Sequence, residues 1–127
     1  MAVMRNPRKG EPLFSLAERS AMMAEVLADL TNIRIETFAS LVVDTAKEVG
    51  ATAIVKGLRA VSDFENELQM AQMNKQLSGI DTLFIPTGSE HSFIASRLIR
   101  EVARFGGNVG GMVPKPVASR LAERFLT

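Results

Sequence analysis

Short apolar runs that alternate with amphipathic segments are the feature that most constrains how this chain folds. The runs TAIVK (52–56) and TLFIP (82–86) are rich in β-branched and aromatic residues, which favour strands. IRIET (33–37) alternates as a strand does, and AVM (2–4) is a very short opening run. Segments with helical character separate these runs, and strands alternating with helices are typical of parallel sheets. The pattern therefore predicts an α/β fold with a parallel sheet.

Capping and turn residues predict where the helices begin and end. Ser15-Leu-Ala-Glu18 matches a capping box and predicts a helix to about Leu30. Ser40 is expected to cap a second helix over 41–49, with Gly50 just after its end. A third helix is expected to begin at Ser62 or Asp63 and to end near Gly79, and a fourth to begin at Ser92 and to end before Gly106-Gly107. A last helix is expected to begin at Pro116, with Val117, Leu121 and Phe125 on one face.

The composition is that of an ordinary globular domain, and it excludes several classes of protein. The 127 residues predict a single domain over 1–127, with 46% hydrophobic residues to build its core. A net charge of +1 argues against broad attraction to nucleic acid or membrane. The chain has no cysteine and one histidine, which excludes a disulfide framework and an all-imidazole metal site. Without a long apolar stretch or a signal-peptide core, we expect a cytoplasmic protein.

Cations and hydroxyl groups follow the predicted strands at the points where those strands end. In open parallel sheets, ligands bind outside the carboxyl ends of the strands, so these residues are expected near one edge. They are Arg5 and Lys9 after the first run, Thr37 and Ser40 after the second, Lys56, Gly57 and Arg59 after the third, and Thr87, Ser89, His91 and Ser92 after the fourth. The set predicts a polyphosphate ligand, with Gly57 allowing a close approach to the backbone. Neither GxxxxGK[ST] nor GxGxxG occurs in the chain.

A purely structural interpretation exists for each of these residues. Lys56 and Arg59 have possible ion-pair partners in Asp63, Glu65 and Glu67. Single lysines and histidines such as Lys9 and His91 are usually ordinary loop residues. The apolar residues Met70, Met73 and Leu77 recur at a helical spacing that is typical of core or interface packing. The functional interpretation depends on the coincidence of these residues at one sheet edge.

Three segments together resemble the phosphopantetheine adenylyltransferase family. The most specific is IVKGLRAVSDFENELQMAQMN (54–74), and NPRKGEPLFSLAER (6–19) and HSFIASRLIREVARFGG (91–107) match two further family segments in the same order. The resemblance implies a Rossmann-like nucleotidyltransferase fold with C-terminal helices. It also implies transfer of AMP from ATP to 4′-phosphopantetheine in coenzyme A biosynthesis, with Mg²⁺ as cofactor, a homohexamer, and coenzyme A as a feedback inhibitor.

The resemblance also assigns roles to individual residues. Lys9 and Arg59 match the catalytic phosphate contacts, and Lys9 also belongs to the substrate side. The other pantetheine-side residues are Leu41, Val42, Lys56, Met73 and Asn74. The ATP side comprises Gly57, Leu58, Arg59, Glu67, His91, Ser92, Phe93, Ile94, Ala95, Ser96 and Arg97. No residue is assigned as a metal ligand.

The chain departs from the family pattern in two places. Ala95 and Arg97 replace hydroxyl residues of the family's SFISSS, so that Arg97 either supplies charge or points away. The family's opening strand and its Thr-x-Gly-His segment, whose histidine stabilises the transition state, have no counterpart in these 127 residues. We therefore expect an N-terminally truncated fold with weak or no activity. The alternatives are a non-catalytic module that binds coenzyme A or ATP, and a nucleotidyltransferase with another phosphorylated acceptor.

Overall fold

The structure, a computed structural model, describes residues 1–4 and 10–126. It has four strands and five helices within those residues. In chain order they are β1 (Ala2–Met4), α1 (Leu16–Val26), β2 (Glu36–Phe38), α2 (Val42–Glu48), β3 (Ala53–Leu58), α3 (Val61–Ser78), β4 (Asp81–Pro86), α4 (Ser96–Arg104) and α5 (Lys115–Leu126). Among the described residues, no helix is both long and apolar enough to cross a bilayer.

All strand pairing in the described residues is parallel, which confirms the predicted α/β class. β1 pairs with β2, and β3 pairs with β4 over six residues in register. The pairs form two separate two-stranded sheets.

The chain forms two compact units. The first comprises Met1–Ala39 and Ile94–Thr127, and the second comprises Ser40–Phe93. The single domain that the sequence analysis expects over 1–127 stays a prediction.

The second unit packs one face of the β3–β4 sheet against α3. Because side chains alternate between the two faces of a strand, Ile54 and Phe84 are half-buried while Val55 and Leu83 are exposed. The Phe84 ring lies edge-on to Phe64 of α3, with 5.6 Å between the ring centroids. This packing fixes α3 beside the strands whose ends carry the predicted site residues.

The core of the first unit lies between α4 and α5. Ile99, Ala103, Val109 and Leu121 form its buried cluster. Val117 and Phe125 pack against this cluster, so the predicted apolar face of the last helix is confirmed. The capping box of α1 is confirmed as well, because the Glu18 N–H donates to Ser15 Oγ and the Ser15 N–H donates to the Glu18 carboxylate. That backbone hydrogen bond from Ser15 lowers the pKa of Glu18.

Several predicted helix bounds are wrong. α1 ends at Val26, before the expected Leu30. The N-cap of α2 is Leu41, which makes no side-chain capping bond, so Ser40 does not cap it. α4 begins at Ser96, because residues 90–93 form turns where Ser92 was expected to open the helix. The predicted end of α3 is correct, and Gly79 adopts a left-handed φ of 75° there.

Candidate functional site

The carboxyl ends of β3 and β4 are held side by side. Gly57 pairs with Ile85 and Leu58 with Pro86 in the sheet register. Just beyond β4, Thr87 donates twice to the Leu58 carbonyl, from its N–H at 2.8 Å and from its Oγ1 at 3.1 Å. The residues that follow the two strands are therefore fixed close together, as parallel pairing requires.

Two cations lie at this edge of the sheet, and each is paired with an acidic residue of α3. Lys56 Nζ lies 2.9 Å from Glu67 Oε2, and Arg59 Nε lies 3.7 Å from Asp63 Oδ2. The ion-pair interpretation of the sequence is thus confirmed for both cations. Since all four side chains are about 34–42% exposed, these pairs contribute little, about 0–1 kcal/mol each. A phosphate group can therefore exchange for a carboxylate at low cost.

Gly57 leaves open space where a side chain would begin. Among the residues that the structure describes, the only atom within 4 Å of a Cβ added there is Thr87 Cγ2, at 3.9 Å, which is an ordinary contact. Gly57 has no positive φ, so the local backbone does not require glycine. The open position is consistent with the expected close approach of a ligand to the backbone.

The predicted pantetheine-side residues of the second unit differ in their accessibility. Leu41 is exposed at the start of α2, and Val42 is half-buried beside it. On α3, Met73 is exposed and Asn74 is buried, so that the two lie on different sides of the helix. Met73 is accessible to a ligand of this unit, whereas Asn74 is part of its packing.

The predicted ATP loop after β4 consists of exposed turn residues. His91 Nδ1 lies 3.4 Å from Glu90 Oε1, and Ser92 Oγ donates to the Ser89 carbonyl at 3.0 Å. The ring of Phe93 is exposed as well. Because α4 begins only at Ser96, the free N–H groups of its first turn lie further along the chain than predicted.

The remaining predicted residues lie outside this unit. Ile94, Ala95, Ser96 and Arg97 belong to the first unit, and Lys9 lies outside the described residues. Arg100 and Arg104, which have no role predicted from the sequence, line a pocket together with Arg97. The signal that identifies them is the spacing of the three arginines, which places them on one side of a helix.

The described part of the chain has no cluster of three or more His, Cys, Asp or Glu side chains that suits a metal ion. The groups that lie at the ends of β3 and β4 are the Lys56 and Arg59 cations with their carboxylate partners, and the Thr87 hydroxyl. This set binds anions, and phosphate in particular.

Comparisons with known proteins agree on one kind of enzyme. The sequence model of the cytidylyltransferase-like family matches residues 1–102. Phosphopantetheine adenylyltransferase of Corynebacterium glutamicum (strain R) is 46% identical over 123 residues, which cover 97% of this chain and 77% of that protein. The enzymes of the same name from Alkaliphilus oremlandii and Streptomyces coelicolor are 48% and 52% identical over 98% of this chain, covering 80% and 77% of their own lengths.

Proposed function

The chain belongs to the phosphopantetheine adenylyltransferase family of cytidylyltransferase-like proteins, and from that membership we propose that it transfers AMP from ATP to 4′-phosphopantetheine. The products are dephospho-coenzyme A and pyrophosphate, so the reaction is a step of coenzyme A biosynthesis. The observation that carries the proposal is the pair of exchangeable cations, Lys56 and Arg59, at the end of β3. Acceptor-dependent release of pyrophosphate from ATP tests it.

The reaction needs no protein nucleophile. A phosphate oxygen of 4′-phosphopantetheine attacks the α-phosphorus of ATP, and the bond from that phosphorus to the β-phosphate oxygen breaks as pyrophosphate leaves. The protein contributes by positioning the two phosphates and by stabilising negative charge as it develops. A site with Lys and Arg at a sheet edge is suited to both tasks, and we propose that Lys9 and Arg59 make the catalytic contacts.

The ion pairs at the strand end support a division of labour between the cations. Arg59 follows β3 and offers a planar guanidinium that binds phosphate with two parallel hydrogen bonds. Lys56 lies within β3 and offers a compact ammonium group. We assign Arg59 to the ATP phosphates and Lys56 to the phosphate of the acceptor, with Gly57, Leu58 and Glu67 beside the nucleotide. Leu41, Val42 and Met73 are proposed to contact the pantetheine arm.

We propose that Mg²⁺ arrives with ATP and is held mainly by its phosphate oxygens. Mg²⁺ usually keeps several waters and is bound by substrate phosphates with one or two carboxylates. The absence of a three-ligand cluster among the described residues is compatible with this arrangement, and Asp63 and Glu67 are the carboxylates closest to the two cations. The ion neutralises charge on the phosphates when it is bound.

The wider biology of the family adds three proposals. We expect a cytoplasmic homohexamer that coenzyme A inhibits. Exposed apolar residues along α3, namely Met70, Met73 and Leu77, offer a surface for contacts between subunits. We also expect these 127 residues alone to turn over slowly, because they contain no Thr-x-Gly-His segment. Loss of one transition-state donor typically costs about 10²–10³ in rate.

Replacing Lys56 with alanine is expected to raise the KM for 4′-phosphopantetheine more than the KM for ATP. The lost ammonium contacts the acceptor phosphate, while the half-exposed pair with Glu67 contributes little to folding. Steady-state kinetics with each substrate varied in turn measure both constants. Lys75→Ala is the matched control, since Lys75 is also paired with an acidic residue but lies at the far end of α3. A larger effect on the KM for ATP would move Lys56 to the nucleotide side.

Replacing Gly57 with alanine is expected to weaken ATP binding about tenfold without destabilising the protein. The added Cβ has room in the free protein but occupies the space that the nucleotide needs. Glycine within a strand is destabilising by roughly 0.5–1 kcal/mol relative to alanine, so the melting temperature should hold or rise. Calorimetric titration with ATP and a thermal melt measure the two effects. Unchanged ATP affinity would show that no ligand approaches the backbone at Gly57.

A further inference from the structure

Two donors of Thr87 converge on one carbonyl oxygen at the end of β3. The Thr87 N and Oγ1 atoms lie 2.8 Å and 3.1 Å from the Leu58 oxygen, and both donate to it. The N–H bond is the rung that parallel pairing of Leu58 with Pro86 requires, because the residue after one partner donates to the carbonyl of the other. The hydroxyl bond is additional to this ladder, and it is made by an exposed side chain that water can also satisfy. The sheet alone therefore does not account for the second bond.

The Leu58 carbonyl belongs to the peptide group that enters Arg59. Because a peptide group is planar, holding the Leu58 oxygen also sets the positions of the Arg59 nitrogen and Cα. Only Arg59 and Ala60 connect β3 with α3, which begins at Val61. The helix contributes no side-chain cap there, since its N-cap is Ala60. The hydroxyl of Thr87 is thus a side-chain contact that holds this short connection from the side of the sheet.

The position of the Arg59 guanidinium depends on this backbone. Its ion pair with Asp63 is long, at 3.7 Å from Nε to Oδ2, and both side chains are half-exposed. A pair of this kind contributes little to holding two side chains in one geometry. The direction in which the arginine leaves β3 is therefore set largely by the peptide plane that Thr87 holds.

The hydroxyl bond also orients the methyl group of Thr87. Threonine is β-branched, so fixing its Oγ1 atom fixes its Cγ2 atom as well. Cγ2 lies 3.9 Å from the position that a Cβ on Gly57 would take. One side chain therefore borders the open position at Gly57 and holds the peptide group before Arg59, which are two parts of the strand end that we assign to the nucleotide.

We propose that Thr87 is a positioning residue for the ATP phosphates and that it acts through Arg59. The inference rests on the proposed function, in which the Arg59 guanidinium binds those phosphates. Paired hydrogen bonds from a guanidinium to a phosphate are directional, so they require the arginine to extend from a fixed backbone. Thr87 fixes that backbone before the ligand arrives, so that less conformational freedom is lost on binding.

The test is calorimetric titration of the full chain with ATP. Thr87→Val keeps the β-branched shape and the backbone rung, and it removes only the hydroxyl donor. It is expected to raise the Kd for ATP about fivefold, the usual effect of losing one hydrogen bond. Thr87→Ser keeps the donor and loses the methyl group, so its Kd should stay within about twofold of the parental value. A thermal melt of each variant checks the fold.

Coupling to Arg59 separates positioning from a purely structural effect. In an Arg59→Ala background, Thr87→Val should change the Kd for ATP by less than about twofold, because the side chain that Thr87 positions is gone. A structural effect would instead weaken binding by the same factor in both backgrounds. Thr82→Val is the matched control and should leave the Kd unchanged. Thr82 is a threonine of β4, and its buried Oγ1 has no hydrogen-bond partner among the described residues.

The Kd values decide whether the Thr87 hydroxyl acts as proposed. Equal ATP affinity of the parent and Thr87→Val overturns the proposal, and so does an equal loss in both backgrounds. A loss in Thr87→Ser as large as that in Thr87→Val would move the role to the methyl group, which also contradicts the proposal. Failure of the proposed function gives a different result, because a protein that shows the coupling but forms no dephospho-coenzyme A contradicts AMP transfer alone. A parent that does not bind ATP contradicts both.

Discussion

Replacing Arg59 with alanine is expected to lower kcat/KM for AMP transfer about 10²–10³-fold, the usual cost of removing one donor to transition-state charge. The side chain follows β3 at the edge where β4 also ends, and the Thr87 contacts to Leu58 fix that edge. Arg59 Nε lies 3.7 Å from Asp63 Oδ2, and both side chains are half-exposed. A phosphate can therefore take the place of the Asp63 carboxylate at low cost. The loss should therefore appear in catalysis while the fold is retained.

Pyrophosphate release measures this effect, and a thermal melt checks the fold. Arg59→Lys keeps the charge but loses the paired hydrogen bonds, so it should fall between alanine and the parent. Arg34→Ala is the control, because Arg34 is an exposed, ion-paired arginine of the first unit. Turnover that stays at the parental rate in a folded Arg59→Ala protein would remove Arg59 from the mechanism.

Replacing Met70 and Met73 with glutamate is expected to dissociate the proposed hexamer. Both residues are more than half exposed on α3, and Leu77 extends the same stripe. Exposed apolar stripes of this kind mark association surfaces, and interfaces bury methionine readily while they exclude unpaired carboxylates. Sedimentation analysis should find a hexamer for the parent and a smaller species for the double variant.

Gln72→Glu is the control, since Gln72 is also an exposed residue of α3 and receives the same carboxylate side chain, one where the double variant receives two. It lies about 160° around the helix from Met70, by helical geometry, and should leave assembly unchanged. A double variant that sediments as the parent does would exclude the α3 stripe from the interface. A parent that is monomeric would contradict the hexamer itself.

The sequence predicts the class of fold and three of the four strands well, because those depend on local signals. The second strand is shifted, since it was predicted over 33–37 and β2 spans Glu36–Phe38. The β-branched runs, the Ser15–Glu18 capping box and the glycine after α3 each match a feature of the structure. The start of α4 was wrong, because Ser92 offers a good capping side chain but its hydroxyl bonds back to Ser89 in a turn instead. Local competition of this kind is decided by backbone geometry that residue preferences do not reveal.

The candidate site is only partly predictable for a related reason. Proximity of Lys56 and Arg59 follows from their place at the end of one strand. Their partners required the structure, because several acidic residues lie within reach in sequence, and the structure pairs the two cations with Glu67 and Asp63 of α3. The pocket that Arg97, Arg100 and Arg104 line depends on which side of α4 the core covers, and that is a property of packing between α4 and α5.

We expect the family site of this chain to transfer AMP to 4′-phosphopantetheine. The most direct measurement is pyrophosphate release from ATP, with and without that acceptor. It is run on the 127-residue chain and on the same chain extended by a relative's Thr-x-Gly-His segment. Mass spectrometry identifies the adenylylated product. We predict that the extended protein releases pyrophosphate only when 4′-phosphopantetheine is present, and that it forms dephospho-coenzyme A. The 127-residue chain alone is expected to release pyrophosphate far more slowly. A folded extended protein that binds ATP but forms no dephospho-coenzyme A would contradict the account, and would favour a binding module or another phosphorylated acceptor.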